Sequence, residues 1–221
     1  MTAPVARAAV DGSDAPAPPS DALRWWLAAL FGLWFLALAW EPSDRKTWLL
    51  ENLLSVPLAI WLIASWPRVA LTRTSYLLIF AFLALHEIGS HYTYSHVPIP
   101  DCVGLSEGRN HYDRAIHFVF GLVFTRPIAE LLSRAVHWTS KRLVVSLSVA
   151  VILALSTCYE LLEWAAAVVT DPEQGIAFVG AQGDIWDAQK DSGLALLGAL
   201  LCGVWLFATT TTGPSTSYSD S

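Results

Sequence analysis

Residues 143–169 read LVVSLSVAVILALSTCYELLEWAAAVV, and their only charged members are Glu160 and Glu163. A helix needs about 20 mostly apolar residues to cross a hydrocarbon core of about 30 Å. This stretch is therefore long enough to span a bilayer, and its apolar side chains disfavour water. Working outward, comparable runs occupy 23–40, 48–66 (with Pro57 inside it), 69–89 and 193–208. A fourth segment in chain order is harder to read. Its clean run, 115–125, is short and is broken by Arg126 and Pro127. A continuous helix to residue 138 would span if Arg126 pairs with Glu130 at i+4 or faces the bundle, with Pro127 as a kink site. The expected fold class is all-α: a polytopic membrane helical bundle of about six transmembrane helices.

Composition agrees. The chain is 54% hydrophobic and 14% charged, with 11 Trp, whereas soluble domains carry about 25% charged residues and Trp favours membrane interfaces. The net charge of −6 argues against nucleic-acid binding, which needs clustered Lys and Arg. Cys102, Cys158 and Cys202 form no CxxC pair or zinc-finger spacing. Cys158 and Cys202 read as small buried apolar residues, with no disulfide expected between them.

The domain reading is a disordered cytoplasmic leader over 1–22, rich in Ala, Pro, Ser and Asp, a six-helix transmembrane domain over 23–208, and a disordered Thr/Ser-rich tail over 209–221. Ala37-Leu38-Ala39 is a weak match to a signal-peptidase site, but the first run is long and Trp-rich for a signal sequence. It reads as an uncleaved helix.

With six crossings, Arg7, Arg24, Arg68, Arg73, Arg126, Arg134, Lys141 and Arg142 share one side, and Arg45, Lys46, Arg109, Arg114 and Lys190 share the other. The positive-inside rule then places both termini in the cytoplasm. The same parity puts the end of helix 3, the start of helix 4, the end of helix 5 and the start of helix 6 on the non-cytoplasmic side.

Those four ends carry the chemistry. Helix 3 ends in HEIGSHYTYSH (86–96), helix 4 opens with NHYDRAIH (110–117), helix 5 ends in YELLEW (159–164), and GDIWDAQKD (183–191) precedes helix 6. Asp113 and His117 are i,i+4, and Glu160 and Glu163 are i,i+3, so each pair shares a helix face. Asp184, Asp187 and Asp191 follow i,i+3,i+7 if the helix starts early enough. Imidazole and carboxylate are standard ligands for Zn, Mn or Fe, and carboxylates facing across a bundle bind metals. The candidate metal ligands are His86, His91, Asp113, His117, Glu160 and Glu163. Asp184, Asp187 and Asp191 are candidate catalytic acid/base groups or further ligands. The implied cofactor is a divalent metal (Zn, Mn, Fe or Mg).

The same residues have structural uses. Asp184 and Asp187 suit the N-terminus of helix 6, Asp113 suits pairing with Arg109 or Arg114, and Lys190 suits pairing with Asp187 or Asp191. Four clusters converging on one face still favour a polar site, because ionisable groups in a bilayer cost several kcal/mol or more. His96, His111 and His137 are weaker candidates. Glu51 and Asn52 share the face without a specific spacing, and Pro98 and Pro100 suit an ordered loop over the site. There is no GxxxxGK[ST] loop and no GxSxG elbow. HExxH is also missing, since His91 stands one residue too far from His86.

In these four stretches, with HEIGSHYTY (86–94), NHYDR (110–114), YELLEW (159–164) and GDIWDAQKD (183–191), the sequence resembles the YjdF-like family of bacterial inner-membrane proteins over about 25–208. The resemblance implies a multi-pass inner-membrane protein and brings no reaction or ligand set with it. From the residues themselves, the expected function is a metal-dependent enzyme acting on a lipid or lipid-linked substrate at the non-cytoplasmic face. An ion or small-solute transporter and a membrane assembly module are the alternatives. The expected partner is the lipid bilayer.

Overall fold

The computed structural model describes residues 19–69, 71–100, 108–135, 140–170, 175 and 179–209. The expected ends over 1–18 and 210–221, together with Cys102, His137 and Trp138, lie outside the described residues. Among the described residues six long helices follow one another: α1 Asp21–Leu38, α2 Arg45–Val69, α3 Arg73–His91, α4 Tyr112–Ala135, α5 Lys141–Val169 and α6 Asp187–Thr209. No strand occurs among the described residues. Five of the six are long and apolar enough to cross a membrane by length and composition. The exception is α3, whose ends carry Arg73, His86, Glu87 and His91. The doubtful fourth segment is one helix of 24 residues running through Pro127.

Each boundary has a local cause. Ser20 caps α1 by accepting from Leu23 N–H, and Thr72 caps α3 by accepting from Ser75 N–H. The helix-6 cluster departs from expectation: α6 begins at Asp187, so Asp184 precedes the helix and the i,i+3,i+7 face is not formed. Asp187 and Asp191 remain one turn apart on α6.

The core is α4 against α6, with α5 on both and α3 on α4. α1 and α2 pack on α3 at the periphery. Small residues set the closest crossing: a Cβ on Gly121 would run into the Ala195 carbonyl, and one on Gly198 into the Phe118 carbonyl. Membrane helices associate through such close approach, because lipid tails remove the hydrophobic drive between them. The outer surface is apolar, with Trp25, Trp26, Leu33, Leu36 and Val204 exposed and no residue of α1 buried. A water-facing surface would not carry so much contiguous apolar area.

At the end of the bundle where α4 finishes, Glu130 accepts from Thr72 N–H (2.8 Å), Thr72 Oγ1 (2.7 Å), Ser75 Oγ (2.7 Å) and Arg126 Nε (3.1 Å). The expected Arg126–Glu130 pair therefore forms, and the carboxylate also caps α3 from a neighbouring helix. Glu130→Ala should lower the thermal midpoint in detergent by an amount equivalent to about 1–2 kcal/mol, since charged hydrogen bonds to a capped helix end are lost. An unchanged midpoint would show that the cap contributes nothing.

Candidate functional site

The opposite end of the bundle collects the acids. On α4, the one-turn spacing turns Asp113 and His117 to the same side, with His117 Nε2 3.7 Å from Asp113 Oδ1. From α5, Glu160 Oε1 reaches within 3.2 Å of the same nitrogen. Ser156, one turn earlier on α5, stands 3.0 Å from His117 Nδ1 and fixes the ring. From α6, Asp187 and Asp191 each bring a carboxylate oxygen within 4.8 Å of Asp113 and of one another. Glu163 is buried and has Asp113, Glu160, Glu51 and Asp191 as electrostatic neighbours. Glu160 Oε1, despite its nearness to His117, receives no aligned hydrogen bond, and neither does Asp191 Oδ1. Asp191 is 1% exposed. A buried carboxylate oxygen without a partner is costly.

Three cations of this face, Arg109, Arg114 and Lys190, are engaged next door. Arg114 Nη2 donates to Asp184 Oδ2 (2.5 Å) and Asp187 Oδ1 (3.0 Å). Arg109 lies 2.9 Å from Asp187 Oδ1, and Lys190 donates to Asp184 Oδ2 at 2.5 Å. The turn that delivers Asp184 passes through Gly183 in the left-handed region (φ 85°), where glycine carries no steric cost. Hydrogen bonds from Lys190, from the Trp186 backbone N–H and from Arg114 hold the Asp184 carboxyl well below the usual carboxylate range. Asp184 is thus the anchor of an ion-pair knot, and the expected pairing of Asp113 with Arg109 or Arg114 is replaced by Asp184 and Asp187. The expected partner of Lys190 was Asp187 or Asp191, and it is Asp184.

The two helix-3 histidines part company. His86 lies beside the cluster, with Nδ1 2.5 Å from Tyr94 Oη and Nε2 3.3 Å from the Glu51 carbonyl oxygen. Both ring nitrogens are already occupied. His91 Nδ1 lies 2.7 Å from the Leu38 carbonyl of α1, on another side of α3. Five residues at about 100° each carry the second ring well round the helix. Tyr94 reaches His86 because Thr93 and Tyr94 adopt positive φ (54° and 50°) and the ring folds back over Gly89, where a Cβ would meet it at 2.6 Å. Such strain persists where surrounding structure holds it.

Four participants were weakly signalled in the sequence. Glu51 sits on α2 and accepts from Tyr159 Oη of α5 at 2.7 Å. Tyr94, Tyr159 and Ser156 carry no spacing that marks them. Near them, Asn52, Ser55, Glu87 and Ser90 form a buried polar layer between α2 and α3.

A cavity of about 540 Å3 descends from this cluster. Glu51, His86, Tyr94, Asp113, His117 and Tyr159 line its polar end, and Leu71, Phe124, Ile128 and Leu131 line its other reaches. Cys158 also lines it and is exposed, contrary to its expected burial, whereas Cys202 is buried; both are free thiols.

Fold and site together define a multi-pass helical membrane protein with an acidic pocket at one end of its bundle. Residues 23–212 match the family model described as "Predicted membrane protein (DUF2238)", and the chain belongs to that family. It is 39% identical over 171 residues to "Inner membrane protein YjdF" of Escherichia coli (strain K12), covering 75% of this chain and 80% of the relative. That relative and the apolar helices support an inner-membrane location. No solved structure matches the chain.

Proposed function

We propose that the chain is a membrane-embedded, metal-dependent enzyme acting on a lipid or lipid-linked substrate. The observation that carries this reading is the meeting of Asp113, Asp187 and Asp191 within 4.8 Å, with Asp191 Oδ1 buried and unpartnered. A divalent cation between them would supply the missing charge. Carboxylate oxygens with one adjacent imidazole suit Mg or Mn, and the His117 nitrogen also admits Zn or Fe. Asp113 and Asp191 are the principal ligands, with Asp187 shared between the cation and Arg109 and Arg114. His117 and Glu160, whose nitrogen and oxygen lie 3.2 Å apart, would serve as the acid/base pair beside it. The metal's contribution would be to activate a water or polarise a carbonyl or phosphoryl oxygen. His86 and His91, named above as ligands, stand outside this reading: both ring nitrogens of His86 face Tyr94 and the Glu51 carbonyl, and His91 turns Nδ1 to the Leu38 carbonyl on another side of α3.

The Lys/Arg asymmetry puts both termini in the cytoplasm and the site at the non-cytoplasmic face. A transporter has less support: the buried hydroxyls of Thr125 and Ser148 in the span bond to carbonyls of their own helices rather than marking a path. An assembly role would leave the unpartnered carboxylate without a purpose.

Metal content of the purified protein tests the reading. Wild type should carry about one equivalent per chain, and Asp113→Ala and Asp191→Ala should lose most of it, since removing even a group that only hydrogen-bonds to a ligand costs about 10–100-fold in affinity. Equal, substoichiometric metal in all three would sink it.

A further inference from the structure

The cavity beneath the acids has a shape and wall chemistry of its own. α2 packs chiefly on α3, and α5 on α4 and α6; α2 and α5 are not among the closely packed pairs. The cavity lies between them. Its lips are apolar side chains that are about half exposed: Leu54 (50%) and Trp61 (46%) on α2, Leu155 (48%) and Leu162 (54%) on α5. In a bilayer these faces meet hydrocarbon, so the opening is sideways into lipid. The hydrogen bond from Tyr159 to Glu51 ties α2 to α5 at the polar end.

We propose that this cavity is a lateral binding site for one hydrocarbon chain of an amphiphile with an amine-bearing, net-neutral headgroup. The chain lies toward Leu71, Ile128 and Leu131, and the headgroup lies under Glu51 and Asp113. Three features support this. The volume of about 540 Å3 falls within the about 300–1,000 Å3 typical of a site for one small ligand. The polar lining is gathered at one end, which orients an amphiphile. No Lys or Arg is among the described lining residues; Arg109 and Arg114 are turned to Asp184 and Asp187. An anionic headgroup would meet Glu51 and Asp113, with Glu160, Glu163 and Asp191 behind them. An amine can donate to these carboxyl oxygens, whereas an anionic headgroup would find no cation along the described lining. Chain binding stands on the cavity itself; the placing of the headgroup rests on the proposed reading of the acidic cluster.

The test uses the full chain in detergent, offered lysophosphatidylethanolamine or lysophosphatidylglycerol of the same chain length, with retention read by native mass spectrometry. The amine lipid should bind about tenfold more tightly or better, a difference of about 1.4 kcal/mol. Leu58→Trp and Ile128→Trp project into the cavity and should each cut retention about tenfold or more while leaving metal content unchanged. Bound lipid should also slow alkylation of the native Cys158, a readout that needs no variant. Equal retention of the two lipids, or unchanged retention in both Trp variants with unchanged Cys158 reactivity, would overturn the proposal. Amine-lipid binding in a preparation that never takes up metal would uphold it and remove the metal-dependent reading.

Discussion

Gly198→Val should leave the chain unable to close α4 on α6. A Cβ there runs into the Phe118 carbonyl and lies 2.7 Å from the Leu122 nitrogen, both backbone atoms of the facing helix. A flexible side chain could swing aside, but backbone cannot move without shifting the whole helix. Overpacking costs about 1–3 kcal/mol where neighbours yield; here the upper end or more is expected, a fall of about 6–12 °C in thermal midpoint for a chain of this size. The consequence reaches the site, because α4 carries Asp113 and His117 while α6 carries Asp187 and Asp191. The control is Gly193→Ala on the same helix, where an added Cβ meets nothing within 4 Å. It should be neutral or stabilising by up to about 1 kcal/mol through helix propensity. If Gly198→Val unfolds no earlier than Gly193→Ala in detergent, the α4–α6 contact is not the fold's closest seam.

Arg114→Ala should be nearly as damaging, by a different route. The guanidinium joins Asp184 and Asp187, and with it gone Asp187 keeps Arg109 as its cation. Breaking a fully buried pair costs about 3–5 kcal/mol. This knot lies at the end of the bundle and Arg109 remains, so about 2 kcal/mol is the expected loss. The start of α6 should loosen, and metal affinity should fall as Asp187 and Asp191 lose their placement. A double-mutant cycle with Asp187→Asn separates the pair from its surroundings: coupling of about 0.5–3 kcal/mol is expected for groups in contact. Strict additivity of the two changes would show that Arg114 does not act through Asp187.

Much of the site could be read along the chain because it rests on helical spacing. Asp113 and His117 one turn apart, and Glu160 and Glu163 on one face, are local facts about α4 and α5. The sharing of cations was not legible. Arg109 and Arg114 stand beside Asp113 in sequence yet bind Asp184 and Asp187, because the loop before α6 folds over the start of α4. Lys190 likewise turns back to Asp184 rather than to its helical neighbours. Glu51 had no informative spacing, and its importance comes from Tyr159, which is distant in sequence and adjacent in space.

Membrane residence and the order and approximate length of the helices follow from composition and chain order, because hydrocarbon demands long apolar stretches that satisfy their own backbone hydrogen bonds. That demand acts segment by segment, so it leaves its mark in the primary structure. Which imidazole faces the acids, which carboxylate lacks a cation, and where a lipid-sized space opens between α2 and α5 depend on how helices are rotated and spaced against one another. Those quantities are set by close contacts such as Gly121 on Ala195, and no single stretch of chain contains them.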